Sequence, residues 1–189
     1  GFMGSLRNRV VNGSLPPMTF YLENQYDPIA DISLNYGRST DMPLAGDWNG
    51  DGRDTVGYRR GMTLTLTNST GSTPVTHLEF NYGDPGDIVH VGDWDGDGRD
   101  SFLIQRGTWF YLRNSLTSGV AERVFSYGNP GDQVLVGDWN GDGIDTLAVR
   151  RGNVFYVRNS LTTGVADRVF HYGDPGDEVF VGDWNRDRV

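Results

Sequence analysis

The segment Gly46-Asp47-Trp48-Asn49-Gly50-Asp51-Gly52-Arg53-Asp54 returns as Gly92 to Asp100 and again as Gly137 to Asp145. A damaged copy closes the chain as Gly182-Asp183-Trp184-Asn185-Arg186-Asp187-Arg188. Recurrence at about 45 residues matches the period of a four-stranded propeller blade and is too long for a hairpin or a heptad. Around each Gly-Asp-Trp lie four short runs rich in β-branched and aromatic residues and bounded by turn residues, which is the signature of strands. In the third unit the runs are Gln133 to Trp139, Thr146 to Arg151, Asn153 to Asn159 and Asp167 to Tyr172. The acidic loop joins the first two runs, and an Arg-Gly turn (Arg60-Gly61, Arg106-Gly107, Arg151-Gly152) joins the second to the third. Tyr82 to Asp87, Tyr127 to Asp132 and Tyr172 to Asp177, of the form Tyr-Gly-x-Pro-Gly-Asp, lead into the next unit. No useful 3.6-residue apolar stripe interrupts this pattern, and 27 glycines argue against helices.

The two ends are out of phase with the repeat and complement each other. Asn8 to Gly13, Met18 to Asn24 and Asp31 to Tyr36 read as second, third and fourth strands with no first strand before them. Asp177 to Trp184 reads as a first strand with nothing after it. Pairing the terminal strands in one blade abolishes the free edges of a ring. The expected fold is therefore all-β, a single four-bladed propeller over residues 6–189, with blades at 41–83, 87–128 and 132–173 and a composite blade of 177–189 plus 6–37. Residues 1–5, Gly1-Phe2-Met3-Gly4-Ser5, read as a cloning remnant. The rival geometry is a piece of a larger ring, or two chains sharing one. Trp48, Trp94, Trp139 and Trp184 are expected to fill the wedges between blades, as are Phe80, Phe125 and Phe170 and Tyr82, Tyr127 and Tyr172.

Among 189 residues the formal net charge is -9, which argues against a nucleic-acid surface and in favour of cations as partners. There is no cysteine, hence no thiolate chemistry and no zinc–cysteine site. No apolar run reaches the roughly 18 residues of a bilayer span, so membrane insertion is not expected, and no signal peptide is visible.

In the first acidic loop oxygen side chains fall at positions one, three, five and eight (Asp47, Asn49, Asp51, Asp54), with the Arg53 carbonyl at position seven. The second loop repeats this with Asp93, Asp95, Asp97, Arg99 and Asp100, and the third with Asp138, Asn140, Asp142, Ile144 and Asp145. Glycine at position six permits a sharp turn, and such oxygen-only sets suit calcium, which takes six to eight oxygens in flexible geometry. Without a cation, clustered carboxylates repel one another. The competing reading is a plain Gly/Asn/Asp turn whose side chains bond nearby amides. In the fourth copy Arg186 and Arg188 replace both glycines and set guanidiniums among Asp183, Asn185 and Asp187. That loop is expected to be neutralised internally and empty, leaving three calcium sites. The last ligand of each loop is either Asp54, Asp100 and Asp145 directly, or Thr55, Ser101 and Thr146 through water.

The run Asp-Trp-Asn-Gly-Asp-Gly-x-Asp resembles the calcium loop of FG-GAP and VCBS repeats, found in the integrin α-subunit propeller, in fungal integrin-like lectins and in some bacterial secreted proteins. The resemblance covers the three internal units and half of the composite one. It departs from the family pattern in placing the last acid at position eight rather than nine. It implies a calcium-stiffened, secreted or cell-surface propeller, bacterial in type, that recognises an extracellular protein or a glycan.

Catalysis requires one asymmetric site, and the sequence holds none: His77, His90 and His171 are scattered over different runs, and no known nucleophile, phosphate-loop or metalloprotease motif occurs. The expectation is a non-catalytic recognition module. Two alternatives stand beside it, a multivalent lectin with inter-blade sites and a polysaccharide-active enzyme or its accessory domain. The candidate ligand face lies opposite the acidic loops and carries Arg60, Arg106 and Arg151 with Asp87, Asp132 and Asp177, together with Trp109. The plain reading of that face is a ring of inter-blade ion pairs.

Overall fold

The structure is a computed structural model and describes residues 3–5, 15–23, 29–71 and 74–182. The described residues are all-β, with no helix, and form four antiparallel sheets. The chain divides into two compact units, residues 1–86 with 116–119, and residues 87–115 with 120–189.

In the first unit, β1 (Met3–Ser5), β2 (Pro17–Glu23) and β3 (Ile32–Arg38) form a three-stranded sheet, and β4 (Met42–Gly46), β5 (Thr55–Arg60), β6 (Thr63–Leu66) and β7 (Leu78–Asn81) form a four-stranded meander. Alternation along β2 and β3 turns Met18, Phe20, Leu22, Leu34 and Tyr36 to one face, where they pack against Val56 of β5. The predicted runs Met18 to Asn24 and Asp31 to Tyr36 correspond to β2 and β3. Asn8 to Gly13 lies outside the described residues, and the strand beside β2 is β1, with Gly4 opposite Leu22. Residues 3–5, expected as a cloning remnant, thus take part in a sheet.

The second unit holds two meanders. One is β8 (Ile88–Gly92), β9 (Ser101–Arg106), β10 (Trp109–Arg113) and β11 (Arg123–Ser126); the other is β12 (Gln133–Gly137), β13 (Thr146–Arg151), β14 (Val154–Arg158) and β15 (Arg168–His171). The boundaries of β12–β15 follow the predicted runs to within two residues. The sheets pack face to face: Leu103, Phe110, Leu112 and Phe125 of the first meet Leu147 and Val149 of β13, with Trp94 and Tyr127 at the margins.

Two expectations fail at the end of this array. Phe80 and Phe125 are buried, and so are Tyr82 and Tyr127, but Phe170 is 36% and Tyr172 75% exposed. On this face of β12–β15 Leu135, Ala148, Phe155 and Val157 are buried with Trp139 and Val179 packed against them, while Phe170, stacked on Phe155 at 5.1 Å, stays exposed at the margin. A cavity of about 470 Å³ remains there, between Leu135, Trp139, Phe155, Phe170 and Val181. The predicted strand from Asp177 to Trp184 also does not form over 177–182. A strand needs a partner for its backbone groups, and among the described residues no strand pairs with this segment. Trp48 and Trp94 are buried as expected, Trp139 is half-buried and Trp184 lies outside the described residues.

Candidate functional site

The three intact acidic loops connect β4 to β5, β8 to β9 and β12 to β13, and each is wound around its first acid. Asp47 Oδ1 accepts the backbone N–H groups of Asn49 (3.3 Å), Gly50 (2.8 Å) and Asp51 (3.2 Å), and Oδ2 accepts that of Gly52 (2.7 Å). Asp93 repeats this with Asp95, Gly96, Asp97 and Gly98, and Asp138 with Asn140, Gly141, Asp142 and Gly143. The sixth-position glycines Gly52, Gly98 and Gly143 have φ of 81°, 83° and 86°, a region that a side chain strongly disfavours. The acid at position five then accepts the N–H of position seven, Asp51 from Arg53, Asp97 from Arg99 and Asp142 from Ile144. Burial pushes the Asp138 carboxyl up, but the four amide donors outweigh it and hold the group below the ordinary carboxylate value. Asp138 is therefore ionised at neutral pH by its amide donors alone.

Position three separates the loops. In the first and third, the Nδ2 groups of Asn49 and Asn140 donate to Asp51 and Asp142 at 3.0 and 2.9 Å, which partly neutralises the pair. In the second, Asp95 makes the set fully acidic, and ligand oxygens of Asp93, Asp95 and Asp97 all lie within 4.8 Å of one another. Asp95 Oδ2 accepts instead from Asn114 Nδ2 (2.7 Å), and Asn114 Oδ1 accepts from Ser101 Oγ (3.1 Å). Asn114 is absent from the candidates drawn from the sequence. Its signal is the repeated Arg-Asn-Ser-Leu-Thr at 113–117 and 158–162.

The predicted last ligands are not gathered with the rest in a common way. Asp54 is exposed and Asp100 half-buried. Asp145 bonds to the second loop: its Oδ2 accepts the N–H of Asp93 at 3.0 Å, and its N–H donates to the Asp93 carbonyl at 2.7 Å. Burial pushes its carboxyl above the ordinary value, opposed by the Asp93 N–H and reinforced by the charges of Asp93 and Asp138. The hydroxyl-bearing alternatives Thr55, Ser101 and Thr146 are buried, and Thr55 Oγ1 lies 3.5 Å from the Gly46 carbonyl. Asp183, Asn185 and Asp187, with the arginines beside them, lie outside the described residues.

At the Arg-Gly turns the arginines are held in forks. Arg106 grips Asp87 at 2.7 and 2.8 Å and Arg151 grips Asp132 at 2.8 and 2.7 Å, while each guanidinium sits 5.1 Å from a tyrosine ring, Tyr111 and Tyr156 respectively. Arg60 does the same with Asp41, at 2.8 and 2.6 Å, over Tyr58. Each acid precedes the first strand of the sheet whose second strand ends in the arginine. The pairs thus lie within sheets, correcting the expectation of inter-blade pairs, because neighbouring strands bring these two ends together. Asp41 is missing from the sequence candidates although it stands five residues before its Gly-Asp-Trp glycine, as Asp87 and Asp132 do. Asp177 accepts the Asp174 N–H at 2.9 Å. Trp109 is 51% exposed on β10.

Other arginines reach from a strand to the turn that follows its sheet. Arg59 donates to the Asp84 carbonyl at 2.6 Å, and Arg150 to those of Asp174 and Asp177 at 2.9 and 2.6 Å. At the matching place on β9 stands Gln105, 2.8 Å from His90 Nε2. Near the second unit's turn, Tyr127, Asn129, Val149, Arg151, Tyr156 and Val169 line a groove of about 400 Å³.

The chain matches no family model, no curated protein and no solved structure. Among the described residues no helix is long and apolar enough to cross a membrane.

Proposed function

We propose that the chain is a non-catalytic, calcium-binding recognition module of the extracellular space, built as a four-bladed propeller of FG-GAP or VCBS type. The observation that carries the cation reading is the clustering of Asp93, Asp95 and Asp97 oxygens within 4.8 Å, in a loop whose twins sit at the same place in two other sheets. Three carboxylates this close repel one another, and a hard divalent cation reverses the sign of that interaction. The first acid keeps lone pairs for a cation after accepting its four amides, because a carboxylate offers about four acceptor directions and several of these contacts are shared by one oxygen. Asp47, Asn49 and Asp51, and Asp138, Asn140 and Asp142, supply the equivalent oxygens once the asparagine carbonyl turns inward. In this reading Arg53, Arg99 and Ile144 contribute backbone carbonyls.

The propeller reading is supported by the common meander of the sheets and by the face-to-face packing within each unit. It places the chain ends in one composite blade, which gives the three-stranded sheet β1–β3 its missing strand and residues 177–182 their missing partner.

Isothermal calorimetry with calcium tests the cation reading. Three sites per chain are expected, and D93N/D97N is expected to remove one of them. Absence of binding heat with millimolar calcium, together with no metal by elemental analysis, rejects it.

A second reading, a lectin, is favoured by the groove beside Tyr156 and Arg151, whose volume lies in the range of small-ligand sites. Weak, multivalent binding on a glycan array that is lost in Y156A and N129A supports it. An array with no hit under multivalent display removes it and leaves a protein as the partner.

A further inference from the structure

The eighth-position acid of the third loop makes its hydrogen bonds to the second loop. Asp145 encloses the backbone of Asp93, the first residue of the second loop, from both sides: its carboxylate takes the Asp93 N–H at 3.0 Å, and its own N–H reaches the Asp93 carbonyl at 2.7 Å. Two glycines make the approach possible. A Cβ on Gly92 would stand 2.8 Å from Asp145 Oδ2 and 3.2 Å from both Asp145 Cβ and Trp94 Cζ2. A Cβ on Gly96 would stand 3.2 Å from Ile144 Cγ1 and 3.4 Å from the Gly143 carbonyl. Two loops that belong to different sheets are therefore interlocked at the residue from which the second loop is wound.

We infer that Asp145 is a positioning residue that staples the acidic loop 93–100 to the loop 138–145, and is not a ligand of its own loop. It fixes the backbone of Asp93, whose carboxylate organises the N–H groups of Asp95, Gly96, Asp97 and Gly98. The consequence for cation binding rests on the calcium reading above. The affinity of the second loop depends on a residue supplied by the next sheet, and a cation held there strengthens the junction between β8–β11 and β12–β15. Loss of an outer partner of a metal ligand commonly lowers metal affinity by about 10- to 100-fold.

The experiment is a calcium titration of the full chain followed by amide NMR, with Gly98 reporting the second loop and Gly143 the third, on the wild type, D145N and D145A. The side-chain amide introduced by D145N keeps an oxygen that accepts the Asp93 N–H, so this variant is expected to leave both titrations within about threefold of the wild type. D145A is expected to move the Gly98 titration to at least about tenfold higher calcium and to leave Gly143 within about threefold. A larger shift at Gly143 than at Gly98, in either variant, makes Asp145 a ligand of its own loop and overturns the inference. If D145A does not fold, D145N decides on the same criterion. Hydrogen exchange of the Asp93 amide without calcium separates the two readings: slow exchange in the wild type and fast exchange in D145A support the staple even if no cation binds. Fast exchange in the wild type overturns it.

Discussion

Gly92 lies flat beneath Asp145 and Trp94, so the smallest possible side chain there tests the packing of the loop junction. G92A is expected to lower stability by about 1–3 kcal/mol, the usual cost of overfilling a packed site, as measured by urea unfolding. A variant within about 0.5 kcal/mol of wild type would mean that the two loops do not lie against each other in solution. Asp132 gives a second residue-level test. Burial pushes its carboxyl up, but the Arg151 fork and the Asn129 N–H outweigh that and leave it below the ordinary value. A depressed carboxyl stabilises the fold at pH above its unfolded value of about 3.9, and that contribution disappears as the pH falls through the lower folded value. Wild type is therefore expected to lose stability on acidification below about pH 4, and D132N to show a shallower loss over the same interval. Equal slopes for the two proteins would remove Asp132 from the acid response.

At the level of the sheet, one pair of positions sets β8–β11 apart from the other two repeats. Arg59 and Arg150 bond the carbonyls of the following turn, whereas β9 carries Gln105 and β8 carries His90 where β4 and β12 carry Leu44 and Leu135. Burial holds the His90 imidazole below its ordinary value, opposed by the Gln105 contact, so the ring is neutral at pH 7. The double change H90L/Q105R restores the neighbours' pattern and should bring the new guanidinium to the carbonyls of Asn129 and Asp132. It is expected to stabilise the second unit by about 0.5–2 kcal/mol, in line with other consensus substitutions; a drop in thermal midpoint would show that the His90–Gln105 pair is preferred where it stands. The strands themselves are legible in the sequence because their alternation, turn glycines and repeat spacing all point the same way: the runs Gln133 to Trp139 and Asp167 to Tyr172 reappear almost unchanged as β12 and β15. The roles of Asp145 and Arg150 are not legible, since their partners Asp93, Asp174 and Asp177 are chosen by how sheets and turns stack. Spacing along the chain carries no record of that choice. Asp41 is hidden for a simpler reason, the replacement of Pro-Gly before it by Ser39-Thr40.

For the whole molecule, the Phe170 margin of β12–β15 is where the repeat pattern and the described residues part. Phe170 and Tyr172 occupy positions that are buried in the two preceding repeats, and Phe180 is 75% exposed. In the proposed ring these side chains are covered by the composite blade. F170D should then destabilise the chain as strongly as F125D, and much less than F125D if the array stays open; comparing their urea midpoints distinguishes the two arrangements. The ring and the cation reading meet in one quantity, since a native state that binds calcium gains about 2.7 kcal/mol per site when free calcium is about 100-fold above the dissociation constant. The most direct measurement is the thermal unfolding midpoint of the full chain in millimolar calcium and in chelator, with bound metal counted by elemental analysis. A higher midpoint in calcium with three ions per chain is the predicted result; equal midpoints with no bound metal would contradict the account.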